Sequence, residues 1–140
     1  RELKVSASLD GAPMSGVIDR LDRIGTTASG NPRYRIVDYK TGKWPQLRFL
    51  DQTLFPIHVY AAAIEASRPA TVDEVRLDYI GMRNVTRSID RATNQATAAR
   101  FAGIWGDITT AAETGRFPCQ TSPLCDWCDA KPFCPAWGGG

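Results

Sequence analysis

The stretch "YRIVDYKTGKW", residues 34–44, decides how the chain is read. It opens as an apolar, β-branched run and closes on a glycine turn, so residues 33–40 are expected to form a strand. Side chains at i and i+2 of a strand share a face. Asp38 and Lys40 therefore stand on the side of Ile36, while Val37 and Tyr39 line the other. A carboxylate and an ammonium rising together from an apolar strand cost desolvation energy unless they pair or bind something. The bland reading is an ion pair on an edge strand, worth about 0–1 kcal/mol.

The remaining sequence bounds the alternatives. A chain of 140 residues, 43% hydrophobic and 23% charged, suits one globular domain with a modest core. A net charge of +2 is too small to argue for nucleic acid by itself. No apolar run approaches the roughly 18 residues of a membrane span, and no signal-peptide pattern opens the chain. The chain starts at Arg1 and ends in Trp137-Gly-Gly-Gly, which reads as a piece of something longer.

"ELKVSASLDG" alternates as a strand, Asp10-Gly11 marks a turn, and "MSGVIDRLDRIG" reads as the next strand. With "RYRIVDYK" these form an expected antiparallel meander. "LRFLDQTLFPIHVYAAAIEASR" has helical spacing, with Pro56 expected to break or kink its first turns. "TVDEVRLDYIGM" is a strand that "RNVTRSID" can pair with, and "ATAARFAGIWGDITTAAETG" is a second helix closed near Gly115. The order β-β-β-α-β-β-α predicts an α/β (α+β) fold, a mixed central sheet flanked by helices, followed by an irregular cysteine-rich tail.

If strands 15–24 and 33–40 are neighbours, Asp19 and Asp38 converge at one end of the sheet. Two carboxylates offering only oxygen suit Mg²⁺ or Mn²⁺, hard cations that keep waters and bind phosphate oxygens. A metal held there polarises a phosphate and acidifies water, and Lys40 alongside orients the water or offsets transition-state charge. These are the parts needed to hydrolyse a phosphodiester.

On these residues the sequence resembles a known family. "GVIDRLDRI" followed by "IVDYKTGK" is similar to the signature of RecB-family nucleases, a branch of the PD-(D/E)XK superfamily with a restriction-endonuclease-like fold. The resemblance implies a DNA exonuclease domain of repair and recombination, with Asp19 and Asp38 as metal ligands. It further implies the backbone carbonyl of Tyr39 as a third ligand and Lys40 as the catalytic lysine. The family's helix before the first strand carries a further His or Glu ligand that this segment starts too late to include, and Glu2 is not assigned that role. A DNA-facing Q-x-x-x-Y motif on the helix after the lysine is matched by Tyr60 but not at Pro56; either Gln52, one turn further back, substitutes as the DNA contact or that contact is lost. His58, the single histidine, is read as a packing or surface residue.

Cys119, Cys125, Cys128 and Cys134 form a C-x5-C-x2-C-x5-C tail. Four thiols this close favour a metal or iron–sulfur site in a reducing compartment, and spacing alone does not separate Zn²⁺ from a [4Fe–4S] cluster. Iron–sulfur members of the RecB-like group, among them AddB-type and CRISPR-associated nucleases, end in C-x2-C-x5-C. That resemblance assigns Cys125, Cys128 and Cys134 to the cluster, with Cys119 a local fourth ligand or a bystander. The expected division is a nuclease core over 1–117 and a cluster-binding tail over 118–137.

Arg20, Arg23, Lys43, Arg48, Arg83 and Arg87 are candidate phosphate contacts or ordinary solvated charges, and Trp44 a candidate either for stacking on a base or for packing. The expected reading is a Mg²⁺- or Mn²⁺-dependent deoxyribonuclease of a bacterial-type cytoplasm, with DNA as partner, no membrane, and a helicase domain or subunit as a candidate companion. The rivals are an inactive DNA-binding or structural module and a zinc-binding interaction domain. No Walker motif occurs, so the segment itself is not expected to hydrolyse ATP.

Overall fold

A computed structural model describes residues 2–138. Two strands, β1 (Leu3–Leu9) and β2 (Ala12–Ile18), form an antiparallel hairpin. The turn between them is Asp10-Gly11, both with positive φ (47° and 88°), as a two-residue type I′ hairpin turn requires. A second sheet follows the order β3 (Arg20–Thr26), β4 (Pro32–Lys40), β5 (Thr71–Tyr79), β6 (Asn84–Ser88). The β4–β5 pair is parallel and its neighbours antiparallel, so the sheet is mixed as expected.

A parallel pair needs a crossover, and here helix α1 (Leu50–Ser67) supplies it, entered through a 3-10 turn at Leu47–Phe49. Leu54, Ile57, Ala61 and Ile64 of α1 pack on Ile18, Ile36, Val72, Val75 and Leu77. Val59 and Ala62 face a smaller cluster with Leu9, joined by Phe55, Ala98 and Phe101. A helix covered on two sides has no polar stripe to show, which is why α1 is apolar almost all round. The far face of the sheet is charged: Arg35–Glu74 and Arg76–Asp78 pairs, at 2.6 and 3.1 Å, pave the buried Val37.

Three expectations are corrected. The run through "MSGVIDRLDRIG" is two strands, because the chain breaks at Asp19 and passes from one sheet to the other. Pro56 does not end α1; its missing donor falls in the exposed early turns, and burial of the following residues holds the helix together. Helix α2 (Arg91–Thr114) starts earlier than the apolar spacing suggested. The cause is Asp90, whose carboxylate accepts from the Thr93 backbone N–H at 2.7 Å and from its hydroxyl at 2.6 Å, an N-cap. Gly115 (φ 65°) closes α2 as the sequence indicated.

The chain divides into two compact units, Arg1–Trp105 and Gly106–Gly140. The second holds the end of α2 and the tail, which carries three short 3-10 turns at Pro123–Trp127, Lys131–Phe133 and Pro135–Trp137. Among the described residues no helix is long and apolar enough to cross a membrane.

Candidate active site

β4 lies between β3 and β5, so Asp38 and Lys40 sit at the end of an interior strand and not on an edge. The register sets Arg20 opposite Val37. Asp19, in the break before β3, thereby reaches the end of β4, where its Oδ2 accepts the Tyr39 backbone N–H at 2.9 Å. The break that ends β2 is thus what aims this carboxylate. Asp19, Asp38, Tyr39 and Lys40 are brought together.

Lys40 Nζ lies 2.8 Å from Asp38 Oδ2. The same oxygen is out of solvent and receives no directed hydrogen bond, so the contact is an ion pair by distance only. A buried carboxylate oxygen without a directed donor is costly and open to a better cation. Among the described residues no cluster of three or more His, Cys, Asp or Glu side chains is assembled for a metal. The donor set is two carboxylates beside a strand backbone. That fits Mg²⁺ or Mn²⁺, which use one or two carboxylates and take the remaining positions from water and substrate.

The surrounding residues fall into place unevenly. Tyr60 lies across Gly16 of β2, where a Cβ would sit 2.6 Å from its Cε1 and Oη. The glycine of "GVID" is therefore the seat of the tyrosine, a contact that sequence spacing between residues 16 and 60 could not disclose. Gln52 is exposed on the first turns of α1, and Lys43 is exposed in the loop after β4. Arg20 donates to Asp22 at 2.7 Å and to the Tyr39 hydroxyl at 3.1 Å, and both bonds raise its already high pKa. Trp44 packs against Tyr79 with ring centroids 5.1 Å apart, and Arg83 stacks over it at 4.1 Å. The indole is thereby a packing residue with a cation on its outer face. His58 is half-buried, and burial pushes its imidazole pKa down.

In the second unit, Cys134 Sγ lies 3.6 Å from Cys119 Sγ, a contact that raises the Cys119 thiol pKa. Cys125 Sγ accepts the Ser122 backbone N–H at 3.3 Å. Cys128 is exposed, and all four thiols are free. The three cysteines expected as a cluster triplet are not gathered into one metal-holding group.

No curated protein matches the chain. Five chains of solved structures match. One of them, the crystal structure of SSO0001, is 16% identical with a TM-score of 0.47; the match covers 97% of this chain and 58% of that one, so this chain spans less than two thirds of its length. A family model described as the PD-(D/E)XK nuclease superfamily matches residues 1–135. That match takes in both carboxylates, the lysine and the cysteine tail: the chain belongs to the PD-(D/E)XK nuclease superfamily, a group of metal-dependent nucleases.

Proposed function

We propose that the protein is a metal-dependent DNA nuclease of RecB type, acting in repair or recombination, with its site at Asp19, Asp38, the Tyr39 carbonyl and Lys40. The observation that carries this reading is the convergence of Asp19 on the Tyr39 backbone at the end of the strand that presents Asp38 and Lys40. A divalent cation held by the two carboxylates would polarise the scissile phosphate and lower the pKa of an attacking water. The protein's own part is positional. The Tyr39 N–H fixes Asp19, and the strand fixes Asp38 and Lys40 on one side. Lys40, beside Asp38 on the same strand, would offset the negative charge that develops on the phosphate.

Under the same reading, residues 1–117 are the nuclease core and 118–137 a tail whose Cys125, Cys128 and Cys134 would have to draw together to hold a [4Fe–4S] cluster. Cys119 beside Cys134 is a fitting fourth thiolate, and the N–H donated to Cys125 is of the kind that stabilises cluster-bound sulfur. Zn²⁺ is the alternative occupant. Four free thiols suit a reducing cytoplasm. A helicase domain or subunit is the companion this kind of nuclease would serve.

End-labelled single- and double-stranded DNA, incubated with the full-length protein and Mg²⁺, Mn²⁺ or chelator, tests the proposal. Cutting with metal and none with chelator is expected. Tight binding without cutting under any metal would replace it with an inactive DNA-binding module.

A further inference from the structure

We propose that the turn between β5 and β6 is a base-contacting edge of the active site, with Ile80 and Met82 pressing against the nucleobases next to the scissile phosphate; this rests on the nuclease reading above. Ile80 is 61% exposed and Met82 58%, two large apolar side chains flanking Gly81 at φ 76°. Turns usually carry polar residues, so this pair needs a reason.

Their position supplies one. The Ile80 backbone N–H donates to the Lys40 carbonyl at 3.0 Å, which ties the tip directly to the residue proposed for catalysis. The tip is also held from within, by Met82 N–H on the Tyr79 carbonyl and Tyr79 N–H on the Arg83 carbonyl, each 3.0 Å. Beneath it Tyr79 is buried against Trp44, and Arg83 lies over the indole. The result is a fixed apolar tip with a cation beside it, at the end of the sheet that carries the half-buried Asp38 and Lys40.

A nucleic acid meets such a surface with both of its chemistries. Its phosphates suit the Arg83 guanidinium, and its base faces suit isoleucine and methionine, which serve as wedges at base steps. Because the tip is bonded to the Lys40 backbone, a phosphate at Lys40 would have its neighbouring bases within reach of the turn. The substrate class implied is a strand whose bases are accessible at the cut, namely single-stranded DNA or a frayed duplex end.

The test compares the wild type with Ile80→Ser/Met82→Ser in the full-length protein, an exposed pair whose replacement leaves the core intact. Binding is measured in Ca²⁺, without turnover, to a fluorescent single-stranded oligonucleotide and to the same strand carrying abasic sites across the contacted step. On normal DNA the variant is expected to bind about 10- to 100-fold more weakly, on the order of losing the burial of one apolar side chain. On the abasic strand the two proteins should bind alike. An equal loss on both strands, or no loss on either, overturns the proposal. Because the readout is binding, a wild type that binds with this pattern but never cuts would refute the nuclease reading and leave the base contact standing.

Discussion

Gly16→Ala meets the closest side-chain approach to any glycine among the described residues. The added methyl would lie 2.6 Å from Tyr60 Cε1 and Oη and 3.0 Å from Cζ. Carbon atoms in contact prefer about 3.5–4.0 Å, so the ring must retreat by about an ångström. Tyr60 is half-buried against the main core cluster, on a helix pinned by Ile57, Ala61 and Ile64, so the retreat disturbs its packing. Overpacking of this kind costs about 1–3 kcal/mol. Replacing a strand glycine returns about 0.5–1 kcal/mol through the unfolded chain, leaving a net loss of about 1–2 kcal/mol. For a chain of this size that is a fall of roughly 3–8 °C in Tm. Urea and thermal unfolding should be run in the wild-type and Tyr60→Leu backgrounds, since leucine fills the site without reaching the glycine. The loss should appear only where Tyr60 is present. The same loss in both backgrounds would refute the reasoning.

Asp90 gives a pH-dependent prediction. Its bonds from Thr93 hold its carboxyl pKa below the usual range. A depressed folded-state pKa stabilises above the unfolded value and loses that effect as pH falls through the folded one. Asp90→Ala should therefore lower Tm at neutral pH, with the difference from wild type narrowing below about pH 4; a difference constant across that range would contradict the cap. Ile57 is 1% exposed, and Ile57→Ala should cost about 2–5 kcal/mol in denaturant unfolding, whereas a loss under about 1 kcal/mol would mean the helix is not seated as described. In protein purified without oxygen, absorbance near ~400 nm is expected from a thiolate-ligated cluster. It should vanish in Cys125→Ser and in Cys119→Ser; full iron content in the latter would make Cys119 a bystander, and colourless protein with stoichiometric zinc would replace the cluster.

The features legible in the sequence were those carried by local spacing. Strand β4, its glycine turn, the Asp10-Gly11 hairpin and the apolar run of α1 each announce themselves over a few residues. Asp38 and Lys40 stood out because two charges ended an apolar strand. The features that were not legible depend on other segments. Pro56 looked like a breaker because propensity is local, whereas the burial that overrides it comes from β4, β5 and the hairpin. The split at Asp19 followed from the chain changing sheets, which alternation alone does not register. The start of α2 was signalled by Asp90 and Thr93, at a cap that precedes the apolar spacing. The seat of Tyr60 on Gly16 and the tie from Ile80 to Lys40 join distant segments and had no local signal at all.

The proposed function requires that the Asp19–Asp38–Lys40 corner bind metal and cut. The deciding measurement pairs Mn²⁺ binding, read by electron paramagnetic resonance, with cleavage of end-labelled DNA, for the wild type, Asp38→Ala and Lys40→Ala in the full-length protein. Asp38→Ala should lose both binding and cleavage. Lys40→Ala should keep the metal, released from its competitor on Asp38 Oδ2, and lose cleavage by about 10²-fold or more. Cleavage indifferent to both substitutions, or Mn²⁺ bound equally well without Asp38, would contradict it.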